Sequence, residues 1–216
     1  MEYDDALSAT AARYLRGGDR FAGRWVAGKL RHDPVHRAVL ELAPDLGTVA
    51  DIGCGRGQLS ILLLLAGRAR AVIGIDRNRR HLDQGRRAAA GLAFTPSCAD
   101  LGSAAEIPAC DTAVVVDVLY QLAPDRQYAL LREVAAAARQ RVLVRTLDPG
   151  RGLRSRLAIT FERVALLLSP RSDRLVAPLP VADLAGILRA AGFAVSVAPC
   201  WQGTPFANVL LTARRL

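Results

Sequence analysis

Three glycines at alternate positions, Gly53, Gly55 and Gly57, follow a short apolar run that carries an acid, in Val49-Ala-Asp51-Ile-Gly-Cys-Gly-Arg-Gly-Gln-Leu-Ser60. Glycine lacks a Cβ, so such a turn lets a ligand lie against backbone amides, and the apolar run Leu59–Ala66 beyond it reads as a helix. The spacing argues against the dinucleotide fingerprint G-x-G-x-x-G, whose third glycine would stand at position 58, where the chain has Gln58. Acids close the later apolar runs as well. Asp76 ends Val72-Ile-Gly-Ile-Asp76, about twenty residues after the turn, and a carboxylate so placed can accept both hydroxyls of a ribose. Asp100 follows Cys98-Ala, and Asp117 closes Asp111-Thr-Ala-Val-Val-Val-Asp117.

These residues need a scaffold that gathers strand ends. The first forty-odd residues read as helices over Asp5–Leu15, Phe21–Leu30 and Pro34–Leu42, with Gly17-Gly18 as a break and Asp33-Pro34 as a helix start. An alternation then begins. Strands are expected at Thr48–Ile52, Ala71–Ile75, Ala93–Cys98, Ala113–Val118 and Arg141–Thr146, with helices at Gln58–Ala66, Asn78–Ala90 and Pro124–Ala138. That rhythm predicts an α/β fold with a doubly wound, mostly parallel sheet, whose ligands bind beyond the carboxyl ends of the strands. Leu153–Leu168 then reads as a helix with a broad apolar face including Leu157, Phe161, Val164 and Leu168, followed by a loop from Pro170 to Pro180. Helix Val181–Ala191 and strands Phe193–Val197 and Phe206–Ala213, expected to pair antiparallel, complete seven strands. One domain over 1–216 is expected: helical cap 1–46, cofactor-binding core 47–147, loop-helix insertion 148–180, and 181–216 as a final helix and strand pair.

The segments Asp51–Gly57, Val72–Asp76, Cys98–Leu101 and Asp111–Leu122, in that order, resemble the cofactor motifs of the class I S-adenosylmethionine-dependent methyltransferases, a Rossmann-like superfamily. The resemblance implies S-adenosylmethionine as cofactor, held by Asp51, Gly53, Cys54, Gly55, Gly57, Asp76, Arg77, Ala99, Asp100, Asp117 and Val118. In that family the second-strand acid holds the ribose and the third-strand acid accepts from the adenine amine, positions matched here by Asp76 and Asp100. Phe21–Val35 and Arg151–Arg156 are similar, less specifically, to bacterial small-molecule methyltransferases of aryl-polyene-type pathways. The family's DNA amino-methylating members carry Asn/Asp-Pro-Pro-aromatic where this chain has Asp117-Val-Leu-Tyr120. Cytosine C5 methylation needs a Pro-Cys pair, and Pro108-Ala-Cys110 is off by one.

Methyl transfer to a hydroxyl gains from a general base near the acceptor. His32 and His36, flanking Asp33-Pro34 in a region that covers the cofactor in such folds, are the candidates, while His81 reads as a packing residue away from the site. Tyr120 is placed to meet an acceptor, or else packs under the next helix. Tyr14 and Trp25 can wall a pocket or fill the core. The helix from Leu153 sits where a cap over the acceptor can be inserted, and its apolar face would suit an apolar or aromatic acceptor. It can equally seal one end of the sheet. The expected activity is O-methylation of a small aromatic or lipid-like metabolite in a bacterial pathway, with an RNA methyltransferase and a non-catalytic cofactor-binding subunit as alternatives.

Composition narrows the classes. The 216 residues are 51% hydrophobic with a net charge of +9, and the longest apolar stretches fall far below the roughly 18 residues of a membrane span. No signal peptide is visible, and Cys54, Cys98, Cys110 and Cys200 are scattered, so a cytoplasmic chain with reduced thiols and no metal is expected. Lys29 is the only lysine, so the basic balance is almost all arginine, as codon bias would give. Arg79, Arg80, Asp83, Arg86 and Arg87 share one helix face without interleaved aromatics, which reads as a solvated surface and disfavours nucleic acid. The expected partner is a small-molecule acceptor, and monomer and homodimer both fit.

Overall fold

Runs rich in Val, Ile, Leu and Ala supply every strand but Phe94–Cys98, and successive residues point to opposite sheet faces. The computed structural model describes residues 3–16, 20–167 and 175–216. Thr48–Ile52 (β1), Ala71–Asp76 (β2), Phe94–Cys98 (β3), Cys110–Val116 (β4) and Ala138–Leu147 (β5) are parallel, while Asn208–Arg215 (β7) pairs antiparallel with both β5 and Phe193–Pro199 (β6). The order is β3-β2-β1-β4-β5-β7-β6, the expected mostly parallel, seven-stranded sheet. The strand order reverses between β1 and β4, which opens a crevice at their carboxyl ends.

Helices cover both faces. Tyr3–Arg16 (α1), Arg20–His32 (α2), Val35–Leu42 (α3) and Gln58–Leu65 (α4) lie on one side, where Val26, Leu30, Val39 and Leu62 pack against Val49, Val114 and Leu143. Pro124–Ala137 (α6) and Val181–Ala190 (α8) cover the other, with Leu130, Leu131, Leu184 and Leu188 against Ala50, Val115 and Val144. The two clusters take alternate residues of β1, β4 and β5, as a two-residue period requires. Helix α4 is apolar on nearly every side because α1 and α3 bury the surface that the sheet does not. On Arg79–Ala88 (α5), Leu82 and Ala88 are buried, and the arginines expected to form a solvated face are exposed.

Three expectations are corrected. β4 runs from Cys110 to Val116, so Asp117 and Val118 lie beyond its end, because Asp117 takes φ 58° and turns the chain out of the strand. Helix α3 starts at Val35 instead of Pro34, and Asp33 Oδ1 accepts from the Val35 N–H at 3.2 Å. Leu153–Leu167 (α7) is a helix, yet Leu157, Phe161 and Val164 are exposed and its small residues Ser155 and Ala158 are buried. Helix α7 packs on Tyr120 and Val176 through Ala158, with Ile159 partly buried beside it, and its Leu157, Phe161 and Val164 face outward. The Gly17-Gly18 break, Leu168 and Pro170 lie outside the described residues. No helix among the described residues is long and apolar enough to cross a membrane.

Candidate active site

The turn from β1 into α4 stands at the crevice. Its glycines Gly53, Gly55 and Gly57 take φ of 74°, 58° and 75°, a region that L side chains disfavour. The turn is pinned to β2. Gly53 and Cys54 N–H groups both donate to the Ile75 carbonyl, at 2.7 and 3.0 Å, and the Gly55 N–H donates to Asp76 Oδ2 at 2.9 Å. Two glycines are needed for opposite reasons. A Cβ on Gly53 would lie 2.1 Å from Val118 Cγ2, whereas one on Gly55 would meet nothing within 4 Å. Gly55 therefore presents bare backbone to open space.

That space is a cavity of about 630 Å³, within the range of small-ligand sites. Of the residues expected to hold the cofactor, Asp51, Gly53, Cys54, Gly55, Asp76, Arg77, Ala99, Asp100, Asp117 and Val118 line it. Gly57 does not; it caps α4 with left-handed backbone. Five carboxylates line the cavity (Asp33, Asp51, Asp76, Asp100 and Asp117) against Lys29, Arg56 and Arg77. On a chain of net charge +9, this acidic lining suits a cationic ligand and disfavours a polyanion.

The acids differ in state. Asp76 accepts from the Asn78 N–H at 2.7 Å as well as from Gly55, and each oxygen keeps a further lone pair. Asp100 Oδ1 accepts from the Gly102 N–H at 2.9 Å. Asp51 is buried and accepts from Ser60 Oγ at 2.6 Å. Burial pushes its carboxyl up to about 6, with the Ser60 hydrogen bond opposing and Asp76 adding to the rise. Nearby, the buried Oε1 of Gln58, a cavity residue, has no hydrogen-bond partner among the described residues. A buried acceptor of this kind fits a ligand N–H.

The opposite wall is organised by one arginine. Arg145, 4% exposed, sits in the apolar run of β5. Its Nε and Nη2 donate to Asp117 Oδ1 and Oδ2 at 2.9 and 2.6 Å, and Nη1 pairs with Asp33 Oδ1. Asp33 joins α2 to α3, and Lys29 Nζ lies 3.8 Å from its other oxygen. Burial pushes the Asp33 carboxyl up, but the charge and hydrogen bond of Arg145 outweigh it and hold it below its usual range.

His36 is 2% exposed and lines the cavity. Its Nδ1 lies 3.2 Å from the Asp33 carbonyl oxygen, which can only accept, so that contact assigns the proton to Nδ1 and leaves Nε2 a lone pair. Burial pushes the imidazole down to about 4, against the opposing pull of Asp33.

The other expected residues separate. His32 is exposed and lines a different cavity, with Tyr3 and Arg37. Tyr120 does not line the main cavity. It lies in a single 3-10 turn, Leu119–Gln121, packed with Leu147, Ala158 and Val176, and burial pushes its phenol well above the usual value. His81, expected away from the site, lines the cavity from α5, and Trp25 lines it from α2. Tyr14 is buried and donates to the Arg56 carbonyl at 2.5 Å, bracing the glycine turn from behind. Sequence reasoning missed Arg145 and Gln58. An arginine interrupting Val142-Leu-Val-Arg145-Thr-Leu147 was the available signal.

The switch-point cavity, the glycine turn pinned by the second-strand acid and the closing antiparallel pair match the Rossmann-like methyltransferase fold. Residues 49–141 match the family described as a methyltransferase domain. The magnesium protoporphyrin IX methyltransferase of Synechocystis PCC 6803, solved with bound SAH, has 23% identity and a TM-score of 0.64 over 95% of this chain and 94% of that one. An O-methyltransferase family protein from Burkholderia thailandensis has 19% identity and a TM-score of 0.70 over 91% of this chain and 59% of that one. A Mesorhizobium loti S-adenosylmethionine-dependent methyltransferase has 19% identity and a TM-score of 0.65, covering 84% and 96% of the two chains. No curated protein sequence matches the chain.

Proposed function

We propose that the chain methylates a hydroxyl of a small aromatic or lipid-like metabolite, with His36 as the base. The cavity residues fit S-adenosylmethionine on three counts: Gly55 leaves backbone bare, the lining is acidic, and Gln58 offers an orphan acceptor. Asp76 would hold the ribose, Asp100 the adenine, and Gln58 with Asp51 the amino-acid end. When bound, the cofactor supplies an electrophilic methyl group on a sulfonium. The turn, held by Ile75 and Asp76, fixes one reacting partner, and holding both in line supplies much of the rate.

The observation that carries the base assignment is the neutral, buried His36 on the wall of the same cavity, its Nδ1 held by the Asp33 carbonyl. His36 Nε2 would take the proton that the acceptor hydroxyl gives up when its oxygen is methylated. The Asp33 carboxylate would then stabilise the resulting imidazolium. The neighbours' acceptors enter only as analogy: one solved relative is named as an O-methyltransferase family protein.

The test uses methyl-labelled S-adenosylmethionine with a panel of phenols and hydroxy fatty acids and, separately, total RNA. Label is expected in solvent-extractable product, and His36→Asn should lower kcat by about 10²–10⁴-fold with cofactor affinity kept. Label entering RNA, or full turnover in the variant, would overturn the reading.

A further inference from the structure

Helix α7 turns its large apolar side chains away from the protein. Leu153, Leu157, Phe161 and Val164 lie on one helical stripe and are 75%, 66%, 61% and 49% exposed. The inner side carries the buried Ser155 and Ala158, with Ile159 partly buried beside them. Phe161 meets Phe206 edge-on, ring centroids 5.4 Å apart, which extends the stripe onto the loop before β7.

Charge on α7 is sorted in the same direction. Arg156 and Arg163 are exposed along one border of the stripe. Arg154 stands on the other border, where its Nε and Nη2 donate to the Phe206 and Thr204 carbonyls at 2.9 and 2.6 Å. Arg156 and Arg163 form no salt bridge among the described residues. The helix's single acid, Glu162, lies on the inner side, close enough to Tyr120 to act on its charge.

We propose that α7 is an interfacial helix that seats the chain on an anionic lipid bilayer, its apolar stripe entering the acyl boundary and Arg156 and Arg163 meeting lipid phosphates. Charge selects this occupant. Both borders of the stripe are basic, so a second copy of the chain would set arginine against arginine, whereas an anionic surface complements both. The net charge of +9 adds attraction at longer range. Val176, packed with Ala158 beneath α7, is followed back along the chain by Leu175, a half-exposed residue of the cavity wall. A docked α7 therefore adjoins the cavity that would receive an apolar acceptor. The docking itself does not depend on that acceptor.

The full chain is tested by co-sedimentation with phosphatidylcholine–phosphatidylglycerol vesicles and with phosphatidylcholine alone. Binding is expected only with the anionic lipid and should weaken as salt rises. Leu157→Ser with Phe161→Ser should abolish it. Arg156→Gln and Arg163→Gln should each weaken it by about fivefold, the equivalent of about 1 kcal/mol per basic residue. Thermal unfolding and S-adenosylhomocysteine affinity should be unchanged in all four substitutions. Failure of the folded chain to bind anionic vesicles overturns the proposal. So does a dimer in light scattering that Leu157→Ser with Phe161→Ser dissociates, when vesicle binding is missing.

Discussion

The two walls of the cavity are made by different means. On the cofactor side, Gly53, Cys54 and Gly55 are tied by their own amides to Ile75 and Asp76, partners about a strand and a helix away in sequence. On the other side, Asp33 and Arg145 meet across 112 residues, and a single guanidinium joins the N-terminal helices to the ends of β4 and β5. The first wall is specified by backbone geometry, the second by buried charge. Damage to the first should therefore register in ligand affinity, and damage to the second in stability.

The largest expected effect tests the second wall. Arg145→Met leaves the largely buried carboxylates of Asp33 and Asp117 without their guanidinium, with only Lys29 near Asp33, and should destabilise the chain by about 3–5 kcal/mol in urea unfolding. A loss below about 1 kcal/mol would mean that charge does not hold this wall. Next is Asp76→Ala on the first wall, which should weaken S-adenosylhomocysteine binding by about 1.5–3 kcal/mol, read by calorimetry. Unchanged affinity in the folded variant would remove Asp76 from the site.

The smallest effect is a cancellation between one group from each wall. Buried His36, held down at about 4 against an ordinary 6.5, accepts a proton first in the unfolded chain, so its contribution to stability falls as pH drops below 6.5. Asp51, raised to about 6 from 3.8, accepts a proton first in the folded chain, so its contribution grows over the same descent. The wild-type urea midpoint should stay nearly flat from pH 6.5 to about pH 5. His36→Asn removes one arm, and its midpoint should rise as pH falls. The same slope in both proteins would contradict the state assigned to buried His36.

Legibility in the sequence follows the same division. The glycine turn, Asp76 and the strand rhythm were readable because each rests on neighbours in sequence and on a fixed side-chain period. The Asp33–Arg145 pair was not, since no local pattern reports a charge satisfied by a residue 112 positions away. Tyr120 looked close to the site because it follows Asp117, but the 3-10 turn after Val118 carries its ring into the cluster below α7. Periodicity marked an apolar face on α7 and could not say which way it pointed. Ala158 and Ser155, small enough for close packing, took the inner side.

The contact between Gly53 and Val118 has a consequence for how this cavity can vary. The turn after β1 and the turn after β4 share one packing volume, filled from one side only, by the valine. A chain with a side chain at 53 must first give up bulk at 118, and a bulkier residue at 118 presses on the cofactor turn. Val118→Ala alone does not admit a side chain at 53, where φ 74° disfavours one whatever the space, so variation at this contact falls to position 118.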